Sequence, residues 1–154
     1  MFKDSYNIVI VGGGSTWTPG ILKALTKHKD KLALKKVVLY DIDEERQSYI
    51  GEFGKILFKE EYPEVDFSYT TVKEEAYKDV DFVFCQMRTG GYPMREKDEH
   101  IPLSLGVIGQ ETCGPGGFAY GIRSIKDMVE MVQDVRKYSP YAWILNYTNP
   151  AAIV

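Results

Sequence analysis

The sequence predicts an α/β protein built on a doubly wound, mainly parallel sheet that is flanked by helices. Apolar runs alternate along the chain with segments of helical spacing, which is the pattern of a parallel sheet with crossover helices. The first apolar run, 7–11, leads directly into three glycines, and the second, 36–41, ends in an acid. This pairing is typical of the first half of a dinucleotide-binding unit. The expected fold is therefore of the Rossmann type.

Each element follows from its local pattern. Strand one, 7–11, is continuously apolar and suits a strand buried on both faces, whereas strand three, 66–70, alternates as an edge strand does. The remaining strands are expected at 36–41, 82–86 and 142–146, and helices at 19–28, 44–60, 74–77 and 117–138. The second helix carries Ile50, Phe53 and Leu57 on its apolar face with Ile56 beside them.

The pattern breaks over 87–117, where glycines accumulate together with Pro93 and Pro102. We expect a long irregular excursion there, and such excursions are usually functional.

Composition and charge exclude several classes of protein. A chain of 154 residues suits one domain with a real core, and a net charge of −3 offers no general attraction to nucleic acid or to an anionic membrane. Two cysteines are too few for a disulfide framework, so we expect the protein to reside in the reducing cytoplasm. The chain stops after Asn149–Val154 without a helix-closing signal. We therefore expect one domain over 1–154, truncated at its C-terminal end and belonging to a longer protein.

The glycine-rich loop after strand one is the first candidate site. Its candidate cofactor-binding residues are Gly12, Gly13, Gly14, Ser15 and Thr16. The glycines should admit a pyrophosphate at a helix N-terminus, and the two hydroxyls can donate hydrogen bonds to it. The usual third glycine of the fingerprint is Trp17 here. The alternative interpretation is a tight strand-to-helix turn that binds no ligand.

Asp41 ends strand two, where a carboxylate accepts hydrogen bonds from an adenosine ribose. This favours NAD over NADP because a 2′-phosphate would be repelled. Asp43 could share the role, while Arg46 lies nearby, counts against the preference for NAD, and is itself a candidate cofactor-binding residue. The alternative is that Asp41 and Asp43 only cap the following helix.

Polar side chains also follow strands four and five, at the ends where ligands bind in open α/β sheets. They are Arg88, Arg95, Lys97, Glu111, Asn146 and Asn149. Arginine matches carboxylate or phosphate, and asparagine can hydrogen-bond sugar hydroxyls, so this set suits an anionic, hydroxylated substrate. The arginines could instead be solvated loop charges. Glu111, among glycines, could tune a neighbouring acid or base, or only order its loop.

Four motifs carry a resemblance to a known family. They are Gly-Gly-Gly-Ser-Thr at 12–16, Tyr-Pro-Met-Arg-Glu at 92–96, Gly-Gln-Glu-Thr-Cys-Gly-Pro-Gly-Gly at 109–117 and Asn-Tyr-Thr-Asn-Pro-Ala-Ala at 146–152. Together they resemble glycoside hydrolase family 4, whose glycosidases depend on NAD and a divalent metal. The last two motifs are most similar to the 6-phospho-α-glucosidases, which act on maltose 6-phosphate, with the 6-phospho-β-glucosidases as the alternative.

The resemblance implies a redox route to hydrolysis, unlike the usual scheme of two carboxylates. In the family, NAD⁺ takes a hydride from C3 of the glucosyl 6-phosphate, a tyrosine removes the C2 proton, the aglycone leaves C1, water adds and the hydride returns. A manganese-type ion polarises the oxygens on C2 and C3.

The same resemblance assigns roles to residues of this chain. It makes Arg95 and Asn149 substrate-binding residues, and Glu111 the carboxylate that raises the basicity of a tyrosine outside the chain. It places the metal-binding cysteine and histidine beyond Val154, so none of residues 1–154 is expected to bind metal and the chain alone should be inactive. It implies a homo-oligomer and a phosphorylated disaccharide substrate. A lactate- or malate-type dehydrogenase and a nucleotide-binding sensor remain alternatives.

Overall fold

The computed structural model describes residues 3–154. In chain order the elements are β1 Tyr6–Val11, α1 Thr18–Lys27, β2 Leu34–Tyr40, α2 Glu44–Glu61, β3 Asp66–Thr70, α3 Lys73–Tyr77, β4 Phe82–Cys85, α4 Gly91–Ser104, α5 Gly114–Tyr138 and β5 Trp143–Asn146. The predicted strands and helices are all present, with ends shifted by up to three residues. None of the helices within residues 3–154 is both long and apolar enough to span a bilayer.

The sheet has the strand order β3-β2-β1-β4-β5. Strand β1 pairs in parallel with β2 and with β4, and β2 pairs in parallel with β3, which confirms the doubly wound Rossmann-type class. Strand β1 lies in the middle, and Ile8–Val11 are at most 1% exposed, as its continuous apolar run predicts. Strand β3 lies at the edge, as its alternation predicts. Val11 is in register with Tyr40 and Cys85, so the carboxyl ends of β1, β2 and β4 lie side by side.

The first of two compact units comprises the chain up to Gln86 together with Asp134–Leu145. Its core joins apolar side chains of β1 and β2 to Leu22 of α1 and Leu57 of α2. The apolar face predicted for α2 is correct except at Ile56, which is 59% exposed. At about 100° per residue, Ile56 lies a quarter-turn away from Leu57 and outside the buried stripe.

The second unit comprises Met87–Gln133 and Asn146–Val154. Within it the expectation of an irregular excursion over 87–117 is wrong, because Gly91–Ser104 forms helix α4. Gly90 precedes the helix in the left-handed region, with φ of 84°. Pro93 falls in the first turn, where the missing N–H group would have no intrahelical partner, so it is tolerated there. Pro102 lies inside the helix, in its last turn, and cannot donate a hydrogen bond to the carbonyl oxygen of Asp98.

Helix α5 contributes to both units, since its residues from Asp134 onward belong to the first. The single domain expected over 1–154 stays a prediction.

Candidate functional site

The glycine-rich loop is tied to the end of β2 by its own backbone. Gly12 has a φ of 82°, which turns the chain out of β1. The N–H groups of Gly12 and Gly13 both donate to the carbonyl oxygen of Tyr40 at 2.9 Å, and the Ser15 N–H donates to the Gly12 carbonyl at 3.1 Å. The loop is therefore shaped by the sheet.

Close packing explains why glycine occupies position 13. A Cβ atom there would lie 2.7 Å from Leu39 Cβ and 2.8 Å from Gln47 Oε1, both closer than real side chains approach. A Cβ on Gly14 would lie 3.1 Å from the Asp41 carboxylate. This packing accounts for both glycines without a ligand, so the evidence for a dinucleotide must come from the polar groups around them.

Asp41 and Arg46 both bind the backbone of Gly14. The Gly14 N–H donates to Asp41 Oδ2 at 2.8 Å, and Arg46 Nε donates to the Gly14 carbonyl oxygen at 2.8 Å. The other oxygen, Asp41 Oδ1, accepts from the Asp43 N–H at 3.1 Å. The structure thus brings the three sequence-predicted candidates Gly14, Asp41 and Arg46 into one contact set.

The helix cap belongs to Asp43 alone. Its Oδ1 accepts the Arg46 N–H at 3.0 Å at the start of α2, the usual geometry of an N-cap. The alternative in which both acids cap the helix is therefore wrong for Asp41, whose carboxylate contacts the glycine loop instead. The ribose-binding role of Asp41 stays a prediction.

Gln86 is a loop contact that the sequence analysis missed. Its Nε2 donates to Thr18 Oγ1 at 2.7 Å and to the Gly12 carbonyl at 3.3 Å, and Thr18 is fully buried. Gln86 follows β4 directly, so it secures both the start of the loop and the start of α1. A polar residue at the carboxyl end of a buried strand was the available signal.

In the second unit, four charged side chains form what we call the arginine–glutamate cluster: Arg88, Arg95, Glu99 and Glu111. Glu111 is shared, with Oε1 2.5 Å from Arg88 Nη2 and Oε2 3.1 Å from Arg95 Nη2. Arg95 Nε also donates to Glu99 at 2.8 Å. The hydrogen bond with Glu99 and the charge of Glu111 raise the pKa of Arg95. These arginines are paired charges and not merely solvated ones.

The ring of Tyr120 packs against Arg88 of this cluster, and the sequence analysis did not single this residue out. Only 3% exposed, it has the guanidinium carbons of Arg88 and Arg123 at 5.4 Å and 5.6 Å from its ring centroid. Burial raises the pKa of the Tyr120 hydroxyl, and the two guanidinium charges oppose that rise. Both terminal nitrogens of Arg123 in turn donate hydrogen bonds to the carboxylate of Asp98, which is 6% exposed.

The turn after β5 uses one of its two asparagines for structure. Asn146 Oδ1 accepts the Thr148 N–H at 2.8 Å, and Thr148 Oγ1 accepts the Met87 N–H at 3.0 Å. Asn149 is exposed, and within residues 3–154 no hydrogen bond joins it to the arginine–glutamate cluster. Its role as a substrate ligand stays a prediction.

Metal-binding groups are dispersed over the part of the chain that the structure covers. Across residues 3–154, no three side chains of His, Cys, Asp or Glu gather as a metal site would require. Cys85 is buried and Cys113 exposed, and no disulfide joins them.

Comparison with known proteins gives one consistent result. The family model described as "Family 4 glycosyl hydrolase" matches residues 7–154. The maltose-6'-phosphate glucosidase of Fusobacterium mortiferum is 55% identical over 149 residues, which are 97% of this chain and 34% of that protein. A 6-phospho-α-glucosidase from gut microorganisms, solved with NAD and Mn²⁺, is 64% identical with a TM-score of 0.95 over 97% of this chain and 34% of its own. The chain thus spans about a third of the length of these relatives.

Two more distant matches concern the alternative interpretations. The 6-phospho-β-glucosidase of Escherichia coli is 38% identical over 154 residues, covering 99% of this chain and 34% of that protein. A malate dehydrogenase of Salinibacter ruber is 11% identical with a TM-score of 0.62, covering 94% and 37% of the two chains. That last likeness shows a shared fold alone.

Proposed function

The chain belongs to family 4 of the glycosyl hydrolases, and on that premise we propose that it is the NAD-binding N-terminal third of an enzyme that hydrolyses 6-phospho-α-glucosides such as maltose 6-phosphate. The observation that carries this proposal is the pair of hydrogen bonds by which Asp41 and Arg46 hold the backbone of Gly14. These residues lie in a chain that is 64% identical to a 6-phospho-α-glucosidase solved with NAD and Mn²⁺. Lower identity to the β-glucosidase supports the α class.

The hydrogen bonds of the loop indicate which groups would meet the cofactor. The N–H groups of Gly12, Gly13, Gly14 and Ser15 already donate within the chain. The N–H groups at the start of α1 are used as well, since Trp17, Thr18 and Gly20 donate to the Ser15 hydroxyl, the Ser15 carbonyl and the Trp17 carbonyl. A pyrophosphate would therefore be bound by Thr16 and by the Ser15 hydroxyl, at the N-terminus of α1, where the helix dipole favours an anion. Thr16 is exposed and lies beside that N-terminus, so the residues present fit a dinucleotide.

Asp41 would bind the adenosine ribose. Each carboxylate oxygen can accept two hydrogen bonds, and Asp41 Oδ1 and Oδ2 each accept one from the backbone. Both oxygens thus keep one position for a ribose hydroxyl. The carboxylate charge would repel a 2′-phosphate, while Arg46 would attract one. The proposal for NAD rests on the 64% identical 6-phospho-α-glucosidase that was solved with NAD.

The bound dinucleotide supplies a reversible hydride acceptor for the sugar C3. In the second unit, Arg95 would bind the substrate phosphate through charge-assisted hydrogen bonds and Asn149 a sugar hydroxyl. Glu111 would place a negative charge that raises the basicity of a tyrosine outside this chain. We assign the divalent metal to ligands beyond Val154, and we propose that residues 1–154 alone bind NAD without turnover. Two cysteines outside any disulfide support a cytoplasmic enzyme; a homo-oligomer stays a prediction.

The ribose role is tested by titrating the chain with NAD⁺ and comparing Asp41→Asn with Asp43→Asn. Both variants remove one negative charge, and asparagine remains a good cap at position 43. We expect Asp41→Asn to weaken NAD⁺ binding by about tenfold or more, the worth of a hydrogen bond to a charged group, and Asp43→Asn to bind as the parent does. Equal affinity of Asp41→Asn and the parent would refute the ribose contact.

The reaction is tested on the full-length enzyme with chromogenic α- and β-glucoside 6-phosphates. We expect NAD⁺-dependent hydrolysis of the α anomer. Oxidation of NADH driven by a 2-oxoacid, without glycoside cleavage, would favour a dehydrogenase. Tight NAD⁺ binding with no response to sugar phosphates would favour a sensor.

A further inference from the structure

The two arginines that share Glu111 differ in what else holds them. Arg95 contacts two carboxylates, those of Glu99 and Glu111, and its side chain is 40% exposed. Both contacts are ion pairs at the solvent boundary, which a competing anion can replace. A phosphate offers more charge and more acceptor oxygens than a carboxylate, and it matches the guanidinium fork. Arg95 is therefore the exchangeable partner of Glu111.

Arg88 is held by more than its acid. Its guanidinium carbon lies 5.6 Å from the ring centroid of Tyr92 and 5.4 Å from that of Tyr120. Tyr120 is itself fixed, because it is 3% exposed and also carries Arg123 against its ring. An arginine stacked on aromatic rings loses packing as well as charge when it moves. Arg88 is therefore the permanent partner of Glu111.

The difference between Arg88 and Arg95 matters because Glu111 needs a positively charged partner. The arginine–glutamate cluster holds two positive and two negative side chains. When Arg95 turns to a phosphate, Glu111, whose side chain is only 18% exposed, keeps a counter-charge only through Arg88. A half-buried carboxylate without a partner would leave its position for water.

We propose that Arg88 is a positioning residue that keeps Glu111 in place while Arg95 leaves Glu111 to bind the phosphate of the substrate. This inference rests on the proposed function, in which Arg95 is the phosphate ligand and Glu111 acts on the reacting tyrosine. It predicts that the two arginines affect different kinetic constants.

The kinetic experiment compares Arg88→Met, Arg88→Lys, Arg95→Met and the exposed control Arg136→Met in the full-length enzyme with NAD⁺, metal and a chromogenic α-glucoside 6-phosphate. We expect Arg88→Met to lower kcat by about tenfold to a hundredfold with KM within about twofold. Arg95→Met should mainly raise KM. Arg88→Lys, which keeps the charge but not the planar stack, should recover part of kcat, and Arg136→Met should match the parent. A rise in KM for Arg88→Met like that of Arg95→Met, or an unchanged kcat, would overturn the proposal.

A structural experiment keeps the inference separate from the proposed reaction. Crystal structures of the Arg95→Met and Arg88→Met chains would show whether Glu111 stays in place. We expect Glu111 to remain on Arg88 in the first and to be displaced in the second. Displacement in Arg95→Met, or an unmoved Glu111 in Arg88→Met, would refute the role of Arg88 even in an active glucosidase. Absence of glucosidase activity in the parent would refute the proposed function and leave this comparison intact.

Discussion

Each of the two units is stabilised internally, and the interactions that do so differ between them. In the first, Ile8, Val9 and Ile10 of the central strand are fully buried, and backbone hydrogen bonds to Tyr40 shape the glycine-rich loop. In the second, the buried contacts include charged side chains, above all Asp98 with Arg123. An ion pair at the solvent boundary, such as those of Arg95, can be exchanged for a contact with an anionic ligand, whereas apolar burial and the buried pair of Asp98 with Arg123 cannot. Under the proposed function, the cofactor would meet the fixed glycine-rich loop, and the anionic substrate would meet the exchangeable charges of the arginine–glutamate cluster.

The largest expected effect comes from breaking the buried ion pair of the second unit. In Arg123→Met, Asp98 would keep its burial and lose both donated hydrogen bonds. Removing one partner of a buried pair costs about 3–5 kcal/mol because the remaining charge stays desolvated. Amide hydrogen exchange should show that loss in α4 and α5 up to Gln133, while the strands of the first unit keep their protection.

The double variant Asp98→Asn with Arg123→Met separates the buried charge from the lost packing. If the orphaned carboxylate is the cause, removing its charge should restore part of the protection in α4. A double variant as unstable as Arg123→Met would mean that the arginine acts through its contact with Tyr120 instead.

The second-largest expected effect comes from the close packing of Gly13 in the first unit. In Gly13→Ala the new methyl group would press on Leu39 and Gln47, at the 2.7 Å and 2.8 Å given by the backbone. Overpacking of this kind costs about 1–3 kcal/mol. We expect a lower urea midpoint for the first unit and loss of NAD⁺ binding, because the loop must move away from β2.

Gly20→Ala is the matched control for this change. Position 20 lies within α1, and a Cβ atom there meets no other atom within 4 Å. Alanine in an exposed helix position should stabilise the chain by up to about 1 kcal/mol, so the urea midpoint of the first unit should not fall. Equal effects of the two alanines would mean that backbone entropy, not packing, sets the behaviour of Gly13.

The same contrast explains which parts of the fold the sequence could predict. Strand β1 and helix α2 could be predicted because burial on both faces makes β1 a continuous apolar run and burial on one face gives α2 apolar residues at helical spacing. Helix α4 was missed because it carries two prolines, follows Gly90 and begins with Gly91, and because its interior includes Asp98, which is buried in an ion pair with Arg123. A pattern method counts such an acid as exposed.

The site shows a similar division. Gly14, Asp41 and Arg46 were predicted together because a fingerprint links a strand end to the loop before it. The pairing of Glu111 with Arg88 and Arg95, and the stacking of Arg88 on Tyr120, join residues that share no sequence period. Only the packing of α4 and α5 within the second unit brings these side chains together.

The smallest expected effect tests whether burial or charge alone holds the second unit. Lys126 and Glu130 form an ion pair of 3.9 Å on α5, and their side chains are 80% and 53% exposed. Lys126→Ala should change the free energy of unfolding by no more than about 0.5 kcal/mol, because exposed pairs gain little over their hydration. Amide hydrogen exchange in α5, measured for Lys126→Ala and for Arg123→Met under the same conditions, compares the two losses of stability. A loss as large as that of Arg123→Met would mean that overall charge balance, and not the desolvation of Asp98, stabilises this unit, and the distinction between a fixed and an exchangeable region would fail.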